Sequence, residues 1–280
     1  MKITKKFAAF ATLLIFALVT AAVAFAAQDG VDWSRGVIRA TGLAAGKKDE
    51  TSPGLYRAQA KRAATMDAMR NLAEAVDGVR VTSSSSMKDL RLQYDEVNTR
   101  LDTTIKGMRE VDIQYFEDGT CQVVFEMSIF GASGSVSDAA FLPFKNEPKV
   151  DFPQPVDKKI ANDPNVVGKN YTGLVIDCRG LGTINYVMSP VIKNADGTKI
   201  YGHQNLDIDK IIINGMAAYA SDAYDQISAQ RAGNNPLVIK AVRLDDLNSN
   251  PVVSVADADR ILAANGKDKF LDNCAVVFVK

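Results

Sequence analysis

Between Ala58 and Val81 the chain reads AQAKRAATMDAMRNLAEAVDGVRV. This stretch constrains the fold more than any other. Ala63, Met66, Met69, Ala73 and Val76 recur every three or four residues, which places an apolar stripe along a helix. Arg62, Asp67, Arg70 and Glu74 fall off the stripe. So many alanines let such a helix lie close against a sheet. Pro53 sits where a first helical turn tolerates proline, and Gly78 is a natural C-terminal stop. Val79 and Val81 are then expected to start a strand running into Thr82–Ser86.

The surrounding pattern extends this helix into an α+β unit. Trp33–Leu43 is expected to form an opening strand interrupted by Gly36 and Gly42. Tyr94, Val97, Leu101, Ile105 and Met108 mark a second helix, ending near Gly107. Val111, Ile113 and Tyr115 alternate with polar residues, as do Cys121, Val123, Phe125, Met127 and Ile129. A two-residue Asp-Gly loop would put these two apolar sets on opposite faces. A type I turn with Gly119 in a bulge pairs Tyr115 with Cys121, Ile113 with Val123 and Val111 with Phe125, all on one face. The bulged turn is therefore expected, with Cys121 pointing inward. The first half thus reads β-α-β-α-β-β, with two helices on one face of a mixed sheet.

Five of the nine prolines lie between Pro143 and Pro164, where neither regular helix nor central strand is expected. Residues 143–165 read as a stiff linker between domains at 28–142 and 166–280. In the second domain Leu174–Ile176 has the fully apolar character of a central strand. Tyr186–Ile192 and Lys199–Tyr201 flank a turn signal, Asn194–Thr198. Pro236–Leu244 and Asn273–Val279 read as further strands. Ser254 with Asp257 opens a helix carrying Val255, Ala258, Ile261 and Leu262. Asp209–Ile213 has the composition of a strand and Ala217–Gln230 that of a short helix; both remain open. The two halves show no internal repeat.

Residues 1–26 read as a secretory signal. Lys2, Lys5 and Lys6 precede the apolar run Phe7–Val19, and small-x-small cleavage sites end at Ala24 and Ala26. The alternative is an uncleaved anchor; the polar Gln28-Asp29-Gly30 favours cleavage. Removal of the segment leaves a net charge of −3, which gives no basic surplus for nucleic acid or anionic lipid. No later run is long enough to cross a bilayer as a helix. The expected location is periplasmic or secreted. Cys121 is the first of three cysteines, so no lipid-modified N-terminus is expected. The spacing of Cys121, Cys178 and Cys274 does not fit a zinc site. They read as small buried apolar residues, with Cys178–Cys274 the pair to consider if a disulfide forms.

No catalytic constellation stands out. The segment Asp177-Cys178-Arg179-Gly180-Leu181-Gly182 ends an apolar strand, where α/β proteins gather ligands. Asp177 and Arg179 are the candidate ligand-binding residues, although an internal Asp177–Arg179 pair, or a turn capped by the glycines, is the simpler reading of the segment. A thiol hydrolase would need His203, the one histidine, beside Cys178, and nothing in the sequence places it there. Thr82–Ser86 lacks the glycines and lysine of a phosphate loop and reads as a polar edge or loop. The carboxylates, Asp207 and Asp257 among them, match no calcium loop and read as solvated faces and caps. No metal or cofactor is expected.

The series from Ala58 to Gly131, with its "DAMRNLAEAVDGV" core and its ending "VVFEMSIFG", resembles the Lpp-twenty lipoproteins and the N-terminal domain of FlgT. The stretch "YTGLVIDCRGLGTINYVMSPVIKNADGTKIYG" resembles segments that follow such domains in exported proteins of double-membraned bacteria. The resemblance implies a non-enzymatic envelope protein, peripheral to the outer membrane. It would act through protein–protein contact in the assembly or maintenance of a cell-surface or flagellar structure. Implied partners are envelope or outer-membrane proteins, the flagellar basal body, or further copies of the chain. The absent lipobox cysteine separates the chain from the lipoprotein members, and no third domain of the kind FlgT carries is expected from these residues. The alternative is a periplasmic small-ligand-binding protein with its site near Asp177 and Arg179.

Overall fold

The computed structural model describes residues 29–46 and 52–280; the expected signal segment lies outside them. The fold is α+β, with three four-stranded sheets among the described residues. In the first half, strands β1 (Gly30–Asp32) and β2 (Val37–Ala45) precede helices α1 (Pro53–Asp77), α2 (Met87–Gln93) and α3 (Asp95–Lys106). Strands β3 (Arg109–Tyr115) and β4 (Thr120–Ser128) follow, then the short helix α4 (Val136–Ala140). The sheet runs β1-β2-β4-β3 and every pairing in it is antiparallel. Both the expected mixed sheet and the β-α-β-α-β-β order are thereby corrected.

Helix α1 turns a different stripe inward from the one its methionines mark. Ala60, Ala64, Ala68, Leu72 and Val76, spaced every four residues, are buried, whereas Ala63 and Met66 are exposed. The small-residue stripe wins because β2 comes so close. A Cβ on Gly42 would lie 2.0 Å from the Ala64 carbonyl oxygen and 2.3 Å from the Ala68 nitrogen. Alanine leaves room for this approach and methionine would not. Gly42 does not interrupt β2, which continues through it to Ala45.

Val79 and Val81 form no strand. Both are buried, and the chain between them and Met87 folds into a tight turn. The Val81 and Thr82 amides donate to the Ser85 carbonyl, and the Thr82 hydroxyl accepts from the Ser84 and Ser85 amides. Ser86 and Asp89 make a reciprocal capping box at the start of α2. The hydroxyl run is therefore a loop and a cap. The free edge of residues 80–81 goes to the second half: the Met188 and Ser189 amides donate to the Arg80 and Val81 carbonyls, at 3.0 and 2.7 Å.

The β3–β4 turn adopts the expected form, with Gly119 at φ +89° and the pairs Tyr115–Cys121 and Ile113–Val123. Cys121 is buried. The third expected pair, Val111–Phe125, is not made. A second bulge at Val111 pairs Glu110 with Phe125 and Arg109 with Glu126. That shift sets Arg109 Nη2 3.0 Å from the carboxylate of Glu126, which is buried beneath Arg35, Arg39 and Arg109.

In the second half, β5 (Gly173–Asp177) is a central strand, as expected. The order is β8-β12-β5-β9, with β8 at Ala218–Ala220, β9 at Pro236–Lys240 and β12 at Val276–Val279, and all pairs are parallel. Val175, Val277 and Val279 face helix α7 (Gln226–Ala232). Leu174, Ile176, Val276 and Phe278 alternate with them and join a core cluster that also contains Ile38, Leu72, Leu101 and Met127. One core therefore runs through both halves. The remaining sheet, β10-β11-β6-β7, comprises β6 (Ile192–Asn194), β7 (Lys199–Tyr201), β10 (Arg243–Asp245) and β11 (Asn250–Val253).

Several local expectations change here. Only Ile192 of Tyr186–Ile192 is strand; the rest is an irregular loop whose amides bond to Val81, Arg80 and the Tyr219 hydroxyl. Asp209–Ile213 lies in helix α6 (Ile208–Asn214), because Asp207 caps it by accepting from the Asp209 amide. Ala217–Gln230 is split: Ala218–Ala220 pairs with β12 and the helix starts only after the Asp225 cap. The run Pro236–Leu244 serves two sheets, β9 and β10. Helix α8 (Val255–Asp268) starts at Ser254 as expected, with Ala258, Ile261 and Leu262 buried.

The proline-rich segment is bound to the second half as a strap, with a single turn of helix, α5, at Lys158–Ala161. Val150 donates to the Gln204 carbonyl at 2.7 Å, and the Asn205 amide group donates to the Val150 and Asp151 carbonyls. Asp259 on α8, itself buried, accepts from the Val156 and Asp157 amides at 2.8 and 2.9 Å. Asp259→Ala removes both of these charge-assisted bonds. It should cost about 2–3 kcal/mol and speed tryptic cleavage at Lys158 and Lys159. Unchanged melting and cleavage would contradict the strap.

Candidate functional site

The carboxyl ends of β8, β12 and β5 face the turn that follows β1, and a groove opens at this seam between the halves. Asp32 shapes the turn: its Oδ1 accepts from the Ser34 amide and hydroxyl and from the Arg35 amide, and Gly36 at φ +64° completes it. Trp33, the single tryptophan, is thereby held against the second half. Its ring lies 5.9 Å from Tyr186 and 6.1 Å from Tyr219, both edge-on, and 6.5 Å from Phe130. Tyr186 and Tyr219 stack at 4.3 Å. Strand β8 fixes Tyr219, whose hydroxyl accepts from the Val187 amide and donates to the Val187 carbonyl. Lys280, just after β12, places its ammonium 4.9 Å from the centre of the Tyr186 ring.

This aromatic wall divides two depressions. One, of about 580 Å³, is bordered by Trp33, Arg80, Gly182, Thr183, Tyr186 and Lys280. The other, of about 670 Å³, lies across Trp33 toward Asp29, Asp32 and Ser221. Both volumes suit a small ligand or the side chains of a partner segment.

The structure brings Asp177 and Arg179 together, but on each other. Arg179 Nε and Nη2 fork onto the two Asp177 oxygens at 2.9 and 2.7 Å, and Nη1 reaches Asp222 at 3.1 Å. The hydrogen bonds from Arg179 hold the Asp177 carboxyl below its ordinary pKa, and the same bonds raise that of Arg179. Neither residue borders the two depressions. The loop they begin does reach the first one, through Gly182 and Thr183. Trp33, Arg80 and Tyr186 are the residues that the sequence reading missed. The solitary tryptophan was a usable signal; Arg80 and Tyr186 are placed only by tertiary contacts.

Cys178 and His203 do not form a couple. His203 packs 5.2 Å from Phe144, with Nδ1 3.3 Å from the Ser189 hydroxyl, and burial lowers its pKa. Burial pushes the Cys178 thiol up to about 12, which removes the thiolate that a nucleophile needs. All three cysteines are buried and free. Cys274 precedes β12 and Cys178 follows β5, so at least ~10 Å of parallel strand separates them, beyond the reach of a disulfide. The native chain should therefore be almost inert to a thiol reagent, and three thiols should titrate in denaturant. Fast reaction of a native thiol would contradict this burial. Among the described residues no group of His, Cys, Asp and Glu is arranged to hold a metal ion, and no helix is long and apolar enough to cross a membrane.

Residues 173–280 match the family model for the second domain of Treponema pallidum Tp0624. The match begins at the first residue of β5 and covers all the strands of the second half. No curated protein matches the chain.

Proposed function

We propose that this chain is an exported, non-enzymatic protein of the bacterial envelope that works by contact. The observation that carries this reading is the seam groove. Two halves joined through one core hold the half-buried rings of Trp33 and Tyr186, backed by the buried Tyr219, at the edge of open depressions. Aromatic side chains that are held in place and still accessible are the usual anchors of binding surfaces. The chain's resemblance to Lpp-twenty and FlgT N-terminal domains supports a role in the assembly or maintenance of a cell-surface or flagellar structure. The edge strands β3 and β9 offer further contact points for envelope proteins or for a second copy.

Crosslinking a tagged chain in cells and identifying its companions by mass spectrometry tests this role. Enrichment of outer-membrane or basal-body proteins is expected. A clean monomer would refute assembly by contact. The second reading, a periplasmic ligand-binding protein, is favoured by Arg80 on the groove wall. It moves the ligand away from Asp177 and Arg179, whose charges are committed to each other and to Asp222. Under this reading Arg179→Ala leaves binding intact.

A further inference from the structure

Arg80 is the least satisfied charged group bordering the groove. Its Nε is buried without a hydrogen-bond partner, and its Nη2 donates only to the Ser83 carbonyl. No carboxylate pairs with it among the described residues. Asp89, whose carboxyl is held below its ordinary pKa chiefly by its Ser86 bonds, is engaged by the Ser86 amide and hydroxyl at 2.7 and 2.8 Å. A guanidinium carries five donors in a planar fork, and leaving a buried one unmet costs free energy. The other cation on this wall, Lys280, lies over Tyr186. Among the described residues no aspartate or glutamate borders this depression; Asp29 and Asp32 border the other one, across Trp33. Trp33 and Tyr186 supply flat apolar surface beside the two charges.

We propose that this depression takes a small anion carrying a flat ring, such as an aryl phosphate or an aromatic carboxylate. Arg80 meets the anionic oxygens in fork geometry, and Trp33 and Tyr186 flank the ring. The proposal rests on the ligand-binding reading above and specifies its ligand class. The pocket is well within the size range of small-molecule sites, at about 580 Å³.

Trp33 is the only tryptophan, so its fluorescence reports the site directly. The mature chain would be titrated with phenyl phosphate, with inorganic phosphate and with neutral benzyl alcohol. Phenyl phosphate should change the emission saturably, and Arg80→Met should weaken it about tenfold or more. Thr183→Glu, an exposed change that adds an acid to the same wall, should weaken it similarly without touching the core. Arg179→Ala should change nothing. Equal binding of benzyl alcohol, with neither Arg80→Met nor Thr183→Glu having an effect, would overturn the anion class and leave the groove as a binding site. No saturable response to any probe would overturn both the ligand class and the ligand-binding reading. Contact with envelope proteins would then be decided by the crosslinking experiment alone.

Discussion

Gly42→Val should destabilise the chain by at least ~3 kcal/mol, a large part of the stability of an ordinary domain. The new Cβ would fall 2.0 Å from the Ala64 oxygen and 2.3 Å from the Ala68 nitrogen, which are backbone atoms of α1. Unlike the tip of a long side chain, they cannot swing aside. Relief requires the whole helix to lift from β2, opening the contacts of Ala60, Ala64 and Ala68 with Cys121, Val123 and Phe125. A urea titration followed by far-UV circular dichroism measures the loss. A midpoint within experimental error of the parent would show that α1 is not seated as described.

Gly173→Val should act just as strongly from the other half. At the start of β5 a Cβ would lie 2.4 Å from the Ala232 Cα and 2.6 Å from its carbonyl oxygen, at the last turn of α7. That oxygen already accepts from the Thr172 hydroxyl at 2.6 Å, and Gly233 turns away at φ +73°. The variant should again lose at least ~3 kcal/mol. Because one cluster contains Ile38 and Leu72 as well as Leu174 and Phe278, each lesion should lower a single transition shared by both halves. If instead Gly173→Val produced two separated transitions with the first half unmoved, the halves would be independent and the seam only a surface contact.

Local chemistry made part of this fold legible. The Glu117–Thr120 turn could be settled because only one register kept both apolar sets on one face. Ser254 with Asp257, and Gly78 and Gly107, marked helix ends through capping. The failures have physical causes. Counting large apolar residues favoured Met66 on α1, but the closest helix–sheet contacts select alanine, and Gly42 was the hidden cue. The β-branched run Ile211–Ile213 suggested a strand, yet the Asp207 cap committed it to helix. The bulge at Val111 serves a buried carboxylate, Glu126, and its arginines, which no alternation pattern reports.

The candidate site was legible only in its neighbourhood. The end of β5 was a sound place to look, since parallel strands present ligands there. The side chains chosen, Asp177 and Arg179, satisfy each other two residues apart. The exposed chemistry comes from four distant parts of the chain: the turn after β1, the loop after α1, the loop after β5 and Lys280 after β12. Their convergence depends on the shared core, and nothing in any one segment announces it.

The central claim is that the seam groove is where this protein meets its target. A photocrosslinking amino acid placed at Thr183, on the groove wall, tests it most directly when compared with one at Leu92, which is exposed on α2. After irradiation in cells, intact-protein mass spectrometry would read adducts of any size. A defined adduct from Thr183 and none from Leu92 is the predicted result. Equal labelling from both positions, or none from Thr183, would contradict the claim.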